Sequence, residues 1–541
     1  MITIMILGGG PMQLPAIETA RRNGWRTVCV DGNPDAPGRN AADRFIHIDL
    51  KDAPAILDAA RGLMHDERLD GVFTAATDFS STVAYVAENL GLPGIPFQTA
   101  LDASDKARMR ARFHEEKVPA PRFFALHESA FGLVAEKIRE NDVRFPVVVK
   151  PSDNMGARGV KRVDATPDGA VPVASLGTAC RTAAEFSRSR TVVIEEFIEG
   201  REYSIDAIVE NGRITVCGIA DRHICFEPFF IEVGHTLPAD LRAEEREELV
   251  TVFSAGVAAL GIQNGAAKGD VFLGPDGAVV GEIAARLSGG YMSGWTYPFA
   301  SGVNVTEHAM RIALALPVGE IVESRAWFSA ERAVISIPGT VARITGWDDA
   351  RDVRHVHAVF RRSDVNDVVT FPRNNVEKSG NVIAAAESRA DAIAAAETGV
   401  SRVVYRLCVR DERTESFLLG TDEFKSFRAF ESLRRETAAA IDALEPIEAA
   451  GPPASHGVRE IALPEPLRDD ATRDWAYRTF SGVAERTHEL TGVTFSRTGK
   501  TGREFWNAVV KGGLQAGLYL IDTINEGTDR GFLRRLGSIR W

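Results

Sequence analysis

The first 95 residues alternate short apolar segments with amphipathic ones, and this alternation restricts the fold more than any other feature of the chain. The apolar segments Ile2–Leu7 and Thr27–Val30 are typical of buried strands, and Leu14–Asn23 between them has the pattern of a helix. Strands that alternate with helices of this length predict a parallel sheet with crossover helices. The breaker cluster at 91–96, Gly-Leu-Pro-Gly-Ile-Pro, predicts a domain boundary near residue 95.

The composition excludes several classes of protein. The chain has 541 residues, 45% of them hydrophobic, which is enough for several domains with buried cores. Its net charge of −12 argues against binding to nucleic acid or to an anionic membrane. The five cysteines are scattered, as is typical of free thiols in a reducing compartment. We find neither a signal peptide nor an apolar run near the roughly 18 residues of a membrane span, so we expect a soluble, cytoplasmic protein.

A glycine cluster follows the first predicted strand. Gly8-Gly9-Gly10 precedes a helix and Asp31 ends the second strand, which imitates a dinucleotide-binding fingerprint. The match is poor because Gln13 stands where the fingerprint needs a third glycine. The pattern favours a tight turn in a Rossmann-like domain that holds no NAD.

The segment Phe145–Gly159 places a lysine at the end of a strand and a glycine-containing loop after it. A lysine there is a point charge suited to phosphate, and backbone N–H groups of such a loop can cover phosphate oxygens. Lys150 and Ser152–Gly159 therefore predict a nucleotide phosphate site, with a plain surface loop as the alternative. The loop has no Gly-Lys-Ser/Thr ending and is not a Walker loop.

A second strand ends in paired carboxylates at Glu195-Glu196, followed by the apolar pair Phe197-Ile198 and, after a glycine, by Glu202. A strand exit of this kind can offer backbone C=O and N–H groups to an adenine edge, and a later glutamate can bind ribose hydroxyls. An acidic turn between two strands is the alternative.

Two further carboxylates flank a Gly-Pro-Asp-Gly turn. A hairpin at this turn brings Asp270 and Glu282 together, and two carboxylates suit a Mg²⁺ ion that is shared with phosphate. Arg286 follows Glu282 by four residues and can offer a rigid fork to a transferring phosphoryl group. A solvated hairpin with chance acidic residues is the alternative.

This succession of a lysine before the strand, a phosphate loop, an acidic strand exit and a carboxylate hairpin resembles the ATP-grasp superfamily from residue 1 to about 415. The resemblance implies an α/β and α+β multidomain fold. It implies a Rossmann-like domain at 1–95, an ATP-grasp domain at 96–320 with its lid at about 120–200, and a C-terminal part at 321–420. Residues 421–541 lie outside the resemblance and have a mostly helical pattern, interrupted by the Pro-containing segment 445–466.

The resemblance also implies roles for single residues toward ATP. Phosphates are contacted by Lys106 and Lys150 and covered by the loop that contains Ser152, Gly156 and Gly159. Adenine is read by the segment Glu195, Glu196, Phe197 and Ile198, with a backbone N–H from Ile198, and ribose is bound by Glu202. Mg²⁺ or Mn²⁺ is held by Asp270 and Glu282, while Arg286 stabilises the transferred phosphoryl group. The family's usual Glu-x-Asn is Glu282-Ile-Ala284 here, so the third metal contact is missing or comes from elsewhere in the chain.

The motif Glu-Ile-x-x-Arg-x-x-Gly-Gly, which ends at Gly289-Gly290, resembles dipeptide-forming amino-acid ligases more than purine-pathway carboxylases. The segment 221–238 resembles the substrate-facing strand of the same ligases. There Glu232 meets an amino group and His235 a carboxylate or the incoming amine; a turn histidine is the alternative for His235. Ser104 is the predicted N-cap of the helix that carries Lys106.

These residues predict an ATP-dependent ligase that joins a carboxylate, from an amino acid, to an amine. Three alternatives stay open: a purine-type enzyme that uses formate or bicarbonate, an NAD-dependent oxidoreductase, and a nucleotide-binding protein without catalysis. The predicted partners are small molecules, and the sequence leaves a homodimer open. In the C-terminal region, apolar residues recur at helical spacing over 504–525, and this pattern favours packing over recognition for Phe505 and Trp506.

Overall fold

The computed structural model describes residues 1–66, 68–447, 458–527 and 530–541. It divides into two compact units: residues 1–331 with 385–392, and residues 332–384 with 393–541. The predicted boundaries near residues 95, 320 and 420 would subdivide these units and stay predictions. Within the described ranges, no helix has the length and apolar character needed to cross a membrane.

The N-terminal region forms the predicted parallel sheet. Its four strands lie in the order β3-β2-β1-β4 and all pair in parallel. The strands are β1 (Thr3–Leu7), β2 (Arg26–Asp31), β3 (Arg44–His47) and β4 (Gly71–Phe73), and the helices are α1 (Leu14–Arg22), α2 (Gly38–Ala41), α3 (Ala53–Asp66) and α4 (Ser80–Leu90). β1 is buried along its whole length, which explains why it lacks the alternation of a half-exposed strand.

The Gly8–Gly10 turn is filled by the protein's own groups. The Gly8 amide donates to the Val30 carbonyl, and the Gly9 amide donates to Asp31 Oδ2 at 2.7 Å. The Gln13 side chain packs against Gly8, whose φ of +105° requires glycine, and it donates to the Ala75 carbonyl. Two of the amides that a dinucleotide phosphate would need are therefore already used.

The next part of the chain forms a small antiparallel sheet with helices on its face. The order is β5-β8-β6-β7, and alternate residues of β6 are buried. The strands are β5 (Phe123–His127), β6 (Val147–Pro151), β7 (Lys161–Val163) and β8 (Thr191–Glu196). The helices of this region are α5 (Phe97–Ser104), α6 (Lys106–Glu115), α7 (Val134–Glu140) and α8 (Val173–Glu185). Asp105, not Ser104, caps α6 by accepting the Arg108 amide at 3.0 Å.

A larger antiparallel sheet follows, in the order β13-β12-β9-β10-β11. α9 covers one face through Leu249, Phe253 and Val257, which share a buried core with Tyr203 and Ile205. The strands are β9 (Arg201–Glu210), β10 (Arg213–Cys225), β11 (Ile231–Leu237), β12 (Gly265–Gly274) and β13 (Gly277–Ala284). The helices are α9 (Ala243–Ala259), α10 (Tyr297–Ser301) and α11 (Val305–Ala313).

The second unit combines short strands with helices. Its strands are β14 (Phe328–Val334, whose first residues belong to the first unit), β15 (Gly339–Thr345), β16 (Val356–Arg361), β17 (Val368–Val369), β18 (Gly380–Ala386, whose last two residues belong to the first unit), β19 (Val404–Leu407), β20 (Glu460–Ala462) and β21 (Thr494–Ser496). Its helices are α12 (Trp347–Arg351), α13 (Arg389–Arg402, whose first residues belong to the first unit), α14 (Glu412–Leu419), α15 (Arg435–Ala443), α16 (Glu465–Arg468), α17 (Phe480–Thr491), α18 (Arg503–Asn525) and α19 (Arg530–Gly537).

The C-terminal region is mostly helical, as predicted, but the segment expected to interrupt the helices contains β20, which pairs with β21. Residues 448–457 of that segment lie outside the described residues. Phe505 and Trp506 are fully buried, and Trp506 Nε1 donates to the Ala462 carbonyl at 2.7 Å. Their packing role is therefore confirmed.

Candidate active site

The β12–β13 hairpin places its two carboxylates side by side. Asp270 and Glu282 are direct cross-strand partners in the antiparallel register, because the Gly-Pro-Asp-Gly turn joins the strands at Gly274 and Gly277. Lys106, the first residue of α6, reaches this hairpin, and its Nζ lies 3.3 Å from Glu282 Oε1. A helix end and a hairpin that are far apart in sequence thus meet at one point.

The loop after β6 arrives at the same point. Lys106 Nζ donates to the Asn154 carbonyl at 2.7 Å, and the Lys106 amide donates to the Ser152 carbonyl at 2.8 Å. Gly156 and Gly159 have φ of +73° and +70°, so the loop uses the left-handed conformation that favours glycine. Ser152 Oγ is buried and makes no hydrogen bond with any residue that the structure describes. A bound ligand could supply the hydrogen-bond partner that this hydroxyl lacks.

The charges at Glu282 favour its ionised form. Burial raises the pKa of Glu282, but the nearby ammonium groups of Lys106, Lys268 and Lys150 outweigh burial and lower the pKa to about 2. The carboxylate therefore stays charged at neutral pH and is balanced by cations rather than left alone. Such a carboxylate is ready to act as a hard oxygen ligand.

Asp270 provides a test of whether a metal ion fits. Its side chain is buried, and its Oδ1 accepts no hydrogen bond among the described residues, although Arg222 Nη1 lies 3.0 Å away. Lys268 pairs with the other oxygen, Oδ2. Oδ1 therefore has lone pairs that no hydrogen-bond donor engages and that a metal ion can use in exchange for the nearby guanidinium. Asp270 and Glu282 therefore fit the metal-holding role.

No group of three or more His, Cys, Asp or Glu side chains in the described part of the chain has the geometry of a metal site. Two protein carboxylates are nevertheless enough where phosphate and water oxygens complete the shell, as is usual for Mg²⁺ at nucleotides. Ala284 is buried on β13 and has no side-chain oxygen, so the structure contains no replacement for the expected asparagine at this position.

Lys150 forms a buried ion pair that sequence reasoning missed. Its Nζ pairs with Glu195 Oε1, and Arg110 Nε donates to Glu195 Oε2 at 3.0 Å. Arg110 is 1% exposed, and its Nη2 also donates to the Gly281 carbonyl. Burial lowers the pKa of Lys150, whereas Glu195 opposes this effect. The Glu195 side chain is thus the counterion of two cations.

The strand exit after Glu195 is partly used by the protein itself. The Glu196 amide donates to the Arg122 carbonyl at 3.0 Å, and the Phe197 amide donates to the Pro146 carbonyl at 2.8 Å. The Glu196 carboxylate accepts from the Arg144 backbone and side chain. These two amides and the Glu195 side chain are therefore engaged within the protein, which leaves the backbone carbonyls of the segment 195–198 as the groups that would read adenine. The backbone N–H of Ile198 stays a prediction.

Arg286 lies in the turn after β13 and is 7% exposed. Its Nη1 donates to the Leu287 carbonyl at 3.1 Å, whereas its Nε is buried and has no hydrogen-bond partner in the described part of the chain. Asp206 anchors the same turn by accepting both the Ser288 amide, at 3.1 Å, and the Ser288 hydroxyl. The turn thus holds a cation with an unused donor close to the carboxylate hairpin.

Gly289 and Gly290 continue this turn. An added Cβ at Gly290 would lie 2.9 Å from Glu232 Oε1 and 3.1 Å from His235 Cε1, and the Gly290 φ of +59° also favours glycine. At Gly289 an added Cβ would lie 3.4 Å from the Ala76 carbonyl oxygen. Glycine at 290 therefore keeps the space in front of Glu232 and His235 open.

His235 lies in β11 and is held between two carboxylates. Nε2 lies 3.4 Å from Glu232, and Nδ1 lies 2.9 Å from Glu331. Burial lowers the pKa of His235, but Glu232 and Glu331 outweigh burial and raise it to about 9. His235 is therefore an imidazolium at neutral pH, with both N–H groups directed at carboxylates. The alternative of a turn histidine is wrong.

Glu202 was expected to be available for ribose, but it pairs with Arg222. The same guanidinium binds Glu232 at 2.7 Å and lies 3.0 Å from Asp270. Sequence reasoning assigned no role to Arg222. A hairpin formed by the segments 221–225 and 231–237 would have indicated this role. Such a hairpin places Arg222 opposite His235 and near Glu232.

Three family models match successive parts of the chain. An ATP-grasp N-terminal domain matches residues 17–94, an ATP-grasp domain matches 143–294, and L-amino acid ligase C-terminal domain 2 matches 332–407. The chain therefore contains ATP-grasp domains. The ATP-grasp domain model covers β6 with Lys150, the strand exit and the carboxylate hairpin.

The relatives that the chain resembles have names that imply different chemistry. Carnosine synthase 1 of Gallus gallus is 25% identical over 332 residues, which are 58% of this chain and 35% of that protein. The human carnosine synthase 1 is 24% identical over 332 residues, 58% of this chain and 40% of that protein. The formate-dependent phosphoribosylglycinamide formyltransferase of Haloquadratum walsbyi is 26% identical over 373 residues, 65% of this chain and 84% of that protein. The chain thus spans well under half the length of the two carnosine synthases.

Solved structures confirm the fold. The L-amino acid ligase from Bacillus licheniformis superimposes with a TM-score of 0.63 at 24% identity, over 75% of this chain and 99% of that chain. Phosphoribosylglycinamide synthetase from Anaerococcus prevotii superimposes with a TM-score of 0.60 at 19% identity, again over 75% and 99%. The predicted α/β and α+β ATP-grasp architecture is therefore confirmed.

Proposed function

We propose that the chain is an ATP-dependent carboxylate–amine ligase that forms an amide or peptide bond, releases ADP and phosphate, and acts on an amino acid. One observation carries the proposal. Lys106 touches both the glycine loop after Lys150 and Glu282 of the carboxylate hairpin, so phosphate-binding and metal-binding groups meet at one point. The likeness to carnosine synthases and to an L-amino acid ligase supports the same chemistry.

The first step transfers a phosphoryl group. An oxygen of the substrate carboxylate attacks the γ-phosphorus of ATP, the bond to the β–γ bridging oxygen breaks, and ADP leaves with its electron pair. Lys106 and Lys150 neutralise the triphosphate, and Arg286 can turn its unused Nε donor toward the transferred group. Mg²⁺ or Mn²⁺, when held by Asp270 and Glu282, adds positive charge at the phosphates.

The second step forms the amide. The amine nitrogen attacks the acyl carbon, phosphate leaves with the electron pair of the acyl C–O bond, and the nitrogen loses a proton. Arg286 stabilises the oxyanion that develops on the acyl oxygen. Positioning supplies much of the rate because the chain has to hold two substrates in line rather than provide a nucleophile of its own.

The substrate side supports an amino acid. Glu232 offers a carboxylate to an ammonium group, and the charged His235 beside it, although its N–H groups face Glu232 and Glu331, adds positive charge near a substrate carboxylate. Both groups face the space that Gly290 keeps open. A site that pairs one anionic with one cationic side chain matches the two charges of a free amino acid.

A cytoplasmic location is part of this proposal. All five cysteines are free thiols, as expected in a reducing compartment. The predicted homodimer stays untested.

A purine-type enzyme is the second candidate, because the formyltransferase relative is matched over 84% of its length. Such an enzyme would need a ribonucleotide phosphate near Gly8–Gly10. The Gly8 and Gly9 amides are already used by Val30 and Asp31, which weakens this candidate.

The test is a screen for ADP release with ATP and Mg²⁺. Pairs of amino acids and small carboxylic acids are compared with formate and bicarbonate. We expect release with an amino acid, abolished in Lys150→Ala and in Glu282→Ala but kept in Lys161→Ala, an exposed lysine in the neighbouring strand β7. Release with formate alone would favour the purine-type enzyme. ATP binding without turnover on any pair would favour a non-catalytic protein, and full activity of either site variant would refute the assignment.

A further inference from the structure

Arg222 occupies the centre of the candidate site. β10 places it opposite His235 of β11, and its side chain is 11% exposed. Its guanidinium contacts three carboxylates that have three different roles in the proposed function, for ribose, metal and amine respectively: Glu202, Asp270 and Glu232. A single cation therefore connects groups that would bind three different parts of the substrates.

The two edges of this guanidinium face different groups. Nη1 pairs with Glu202 and lies 3.0 Å from Asp270 Oδ1. Nε and Nη2 both donate to Oε2 of Glu232, at 3.2 Å and 2.7 Å. One edge thus serves the nucleotide side and the other serves the substrate side. The planar fork of arginine allows this division, whereas the single ammonium of lysine would not.

The contact with Asp270 is the weaker part of the arrangement. Asp270 Oδ1 accepts no hydrogen bond from Nη1 despite the short distance, so their interaction is electrostatic. The two hydrogen bonds to Glu232 are directional and share one acceptor oxygen. A ligand on the nucleotide side can therefore bind Asp270 without breaking the hydrogen bonds from Arg222 to Glu232.

We propose that Arg222 is a positioning residue that couples the nucleotide side of the site to the substrate side; the coupling rests on the proposed ligase function. While Glu202 and Asp270 carry no ligand, Nη1 of Arg222 neutralises them. When the nucleotide and its metal engage these two carboxylates, Nη1 loses both partners and the guanidinium is held by Glu232 alone. Arginine keeps its charge throughout because its guanidinium does not lose its proton in proteins.

This exchange of partners has a measurable consequence. Glu232 lies 3.4 Å from His235 and beside Gly290, so a guanidinium held by Glu232 alone fixes the carboxylate that receives the substrate amine. If one ligand changes the affinity for the other through this shared group, the second must change the affinity for the first by the same factor. Bound nucleotide should therefore tighten substrate binding, and bound substrate should tighten nucleotide binding.

The first test uses a metal ion alone and needs no turnover. Mn²⁺ is titrated into the full chain, and free Mn²⁺ is followed by electron paramagnetic resonance. Removing the competing cation in Arg222→Gln should tighten Mn²⁺ binding about tenfold, within the usual range of coupling between sites. Arg222→Lys, which keeps the charge, and Arg213→Gln, an exposed arginine on the same strand, should match the wild type. Unchanged or weaker Mn²⁺ binding in a folded Arg222→Gln would overturn the proposal.

The second test measures the coupling itself. The dissociation constant of MgADP is determined by calorimetry with and without the substrates that the ADP-release screen identifies. Saturating substrate should lower this constant about tenfold in the wild type and by less than about twofold in Arg222→Lys. Equal coupling in both proteins would overturn the proposal. This second test uses Arg222→Lys and is therefore decisive even if Arg222→Gln does not fold.

The two proposals fail separately. Absence of ADP release with any substrate pair, together with tighter Mn²⁺ binding in Arg222→Gln, would refute the ligase function and support the metal-side role of Arg222. ADP release together with unaltered Mn²⁺ binding would refute the role of Arg222 and leave the ligase function intact. A purely structural arginine would instead weaken Mn²⁺ binding and turnover together.

Discussion

His235 should titrate far above the ordinary range of histidine. Its pKa is raised from 6.5 to about 9, because Glu232 and Glu331 outweigh the effect of burial. A shift of this size corresponds to about 3 kcal/mol, at about 1.4 kcal/mol for each pKa unit. The pKa is higher in the folded than in the unfolded chain, so this stabilisation is fully present below pH 6.5 and is lost as the pH rises through about 9.

Carbon-13 labelling of the eleven histidines makes this pKa measurable by NMR. The signal that disappears in His235→Gln identifies His235, and its shift in the wild type should move with a midpoint near pH 9. Glu331→Gln should lower the midpoint by about one pKa unit or more, since one of two opposite charges is removed. A midpoint at or below 6.5, or one that Glu331→Gln does not move, would refute the charge arrangement described for the substrate side.

Three substitutions test other parts of the structure. Gly290→Ala should raise the KM for the amino substrate about tenfold without changing the KM for ATP, because the new Cβ would lie 2.9 Å from Glu232 Oε1. Steady-state kinetics in which the variant and the wild type have the same KM for the amino substrate would contradict this. Arg110→Met leaves Glu195 with one buried cation fewer and should destabilise the chain by about 3–5 kcal/mol in urea unfolding, where a loss below about 1 kcal/mol would argue against the buried pair. Trp506→Ala should cost about 3–5 kcal/mol by the same measurement, since a fully buried side chain and its hydrogen bond are lost; a near-neutral effect would mean that Trp506 is not a packing residue.

The parts of the site that were predictable depend on residues close together in sequence. Asp270 and Glu282 face each other because the turn between them sets the register of the two strands. The glycine loop follows Lys150 directly, and its glycines adopt the left-handed conformation that a tight loop needs. In each case the local pattern contains enough information to place the chemistry.

The missed parts depend on contacts between distant residues. Glu195 is the counterion of Lys150 and Arg110, and Arg110 lies 85 residues before Glu195 in the chain. The pattern Glu-Glu-Phe-Ile does not show that its first side chain is used internally. Glu331 lies 96 residues after His235, so the sequence alone could not predict the charged state of that histidine.

The central claim is that a carboxylate oxygen of the substrate attacks the γ-phosphorus of ATP, and labelled oxygen tests this most directly. The carboxylate substrate from the screen is prepared with ¹⁸O in both oxygens, and the phosphate released with the amide product is examined by ³¹P NMR. The labelled carboxylate oxygen that attacks the γ-phosphorus stays on phosphorus when the acyl C–O bond breaks. One ¹⁸O atom should therefore appear in each phosphate released by the site at Lys106, Lys150 and Glu282. Amide product accompanied by unlabelled phosphate, or by AMP and pyrophosphate instead of ADP, would contradict the account.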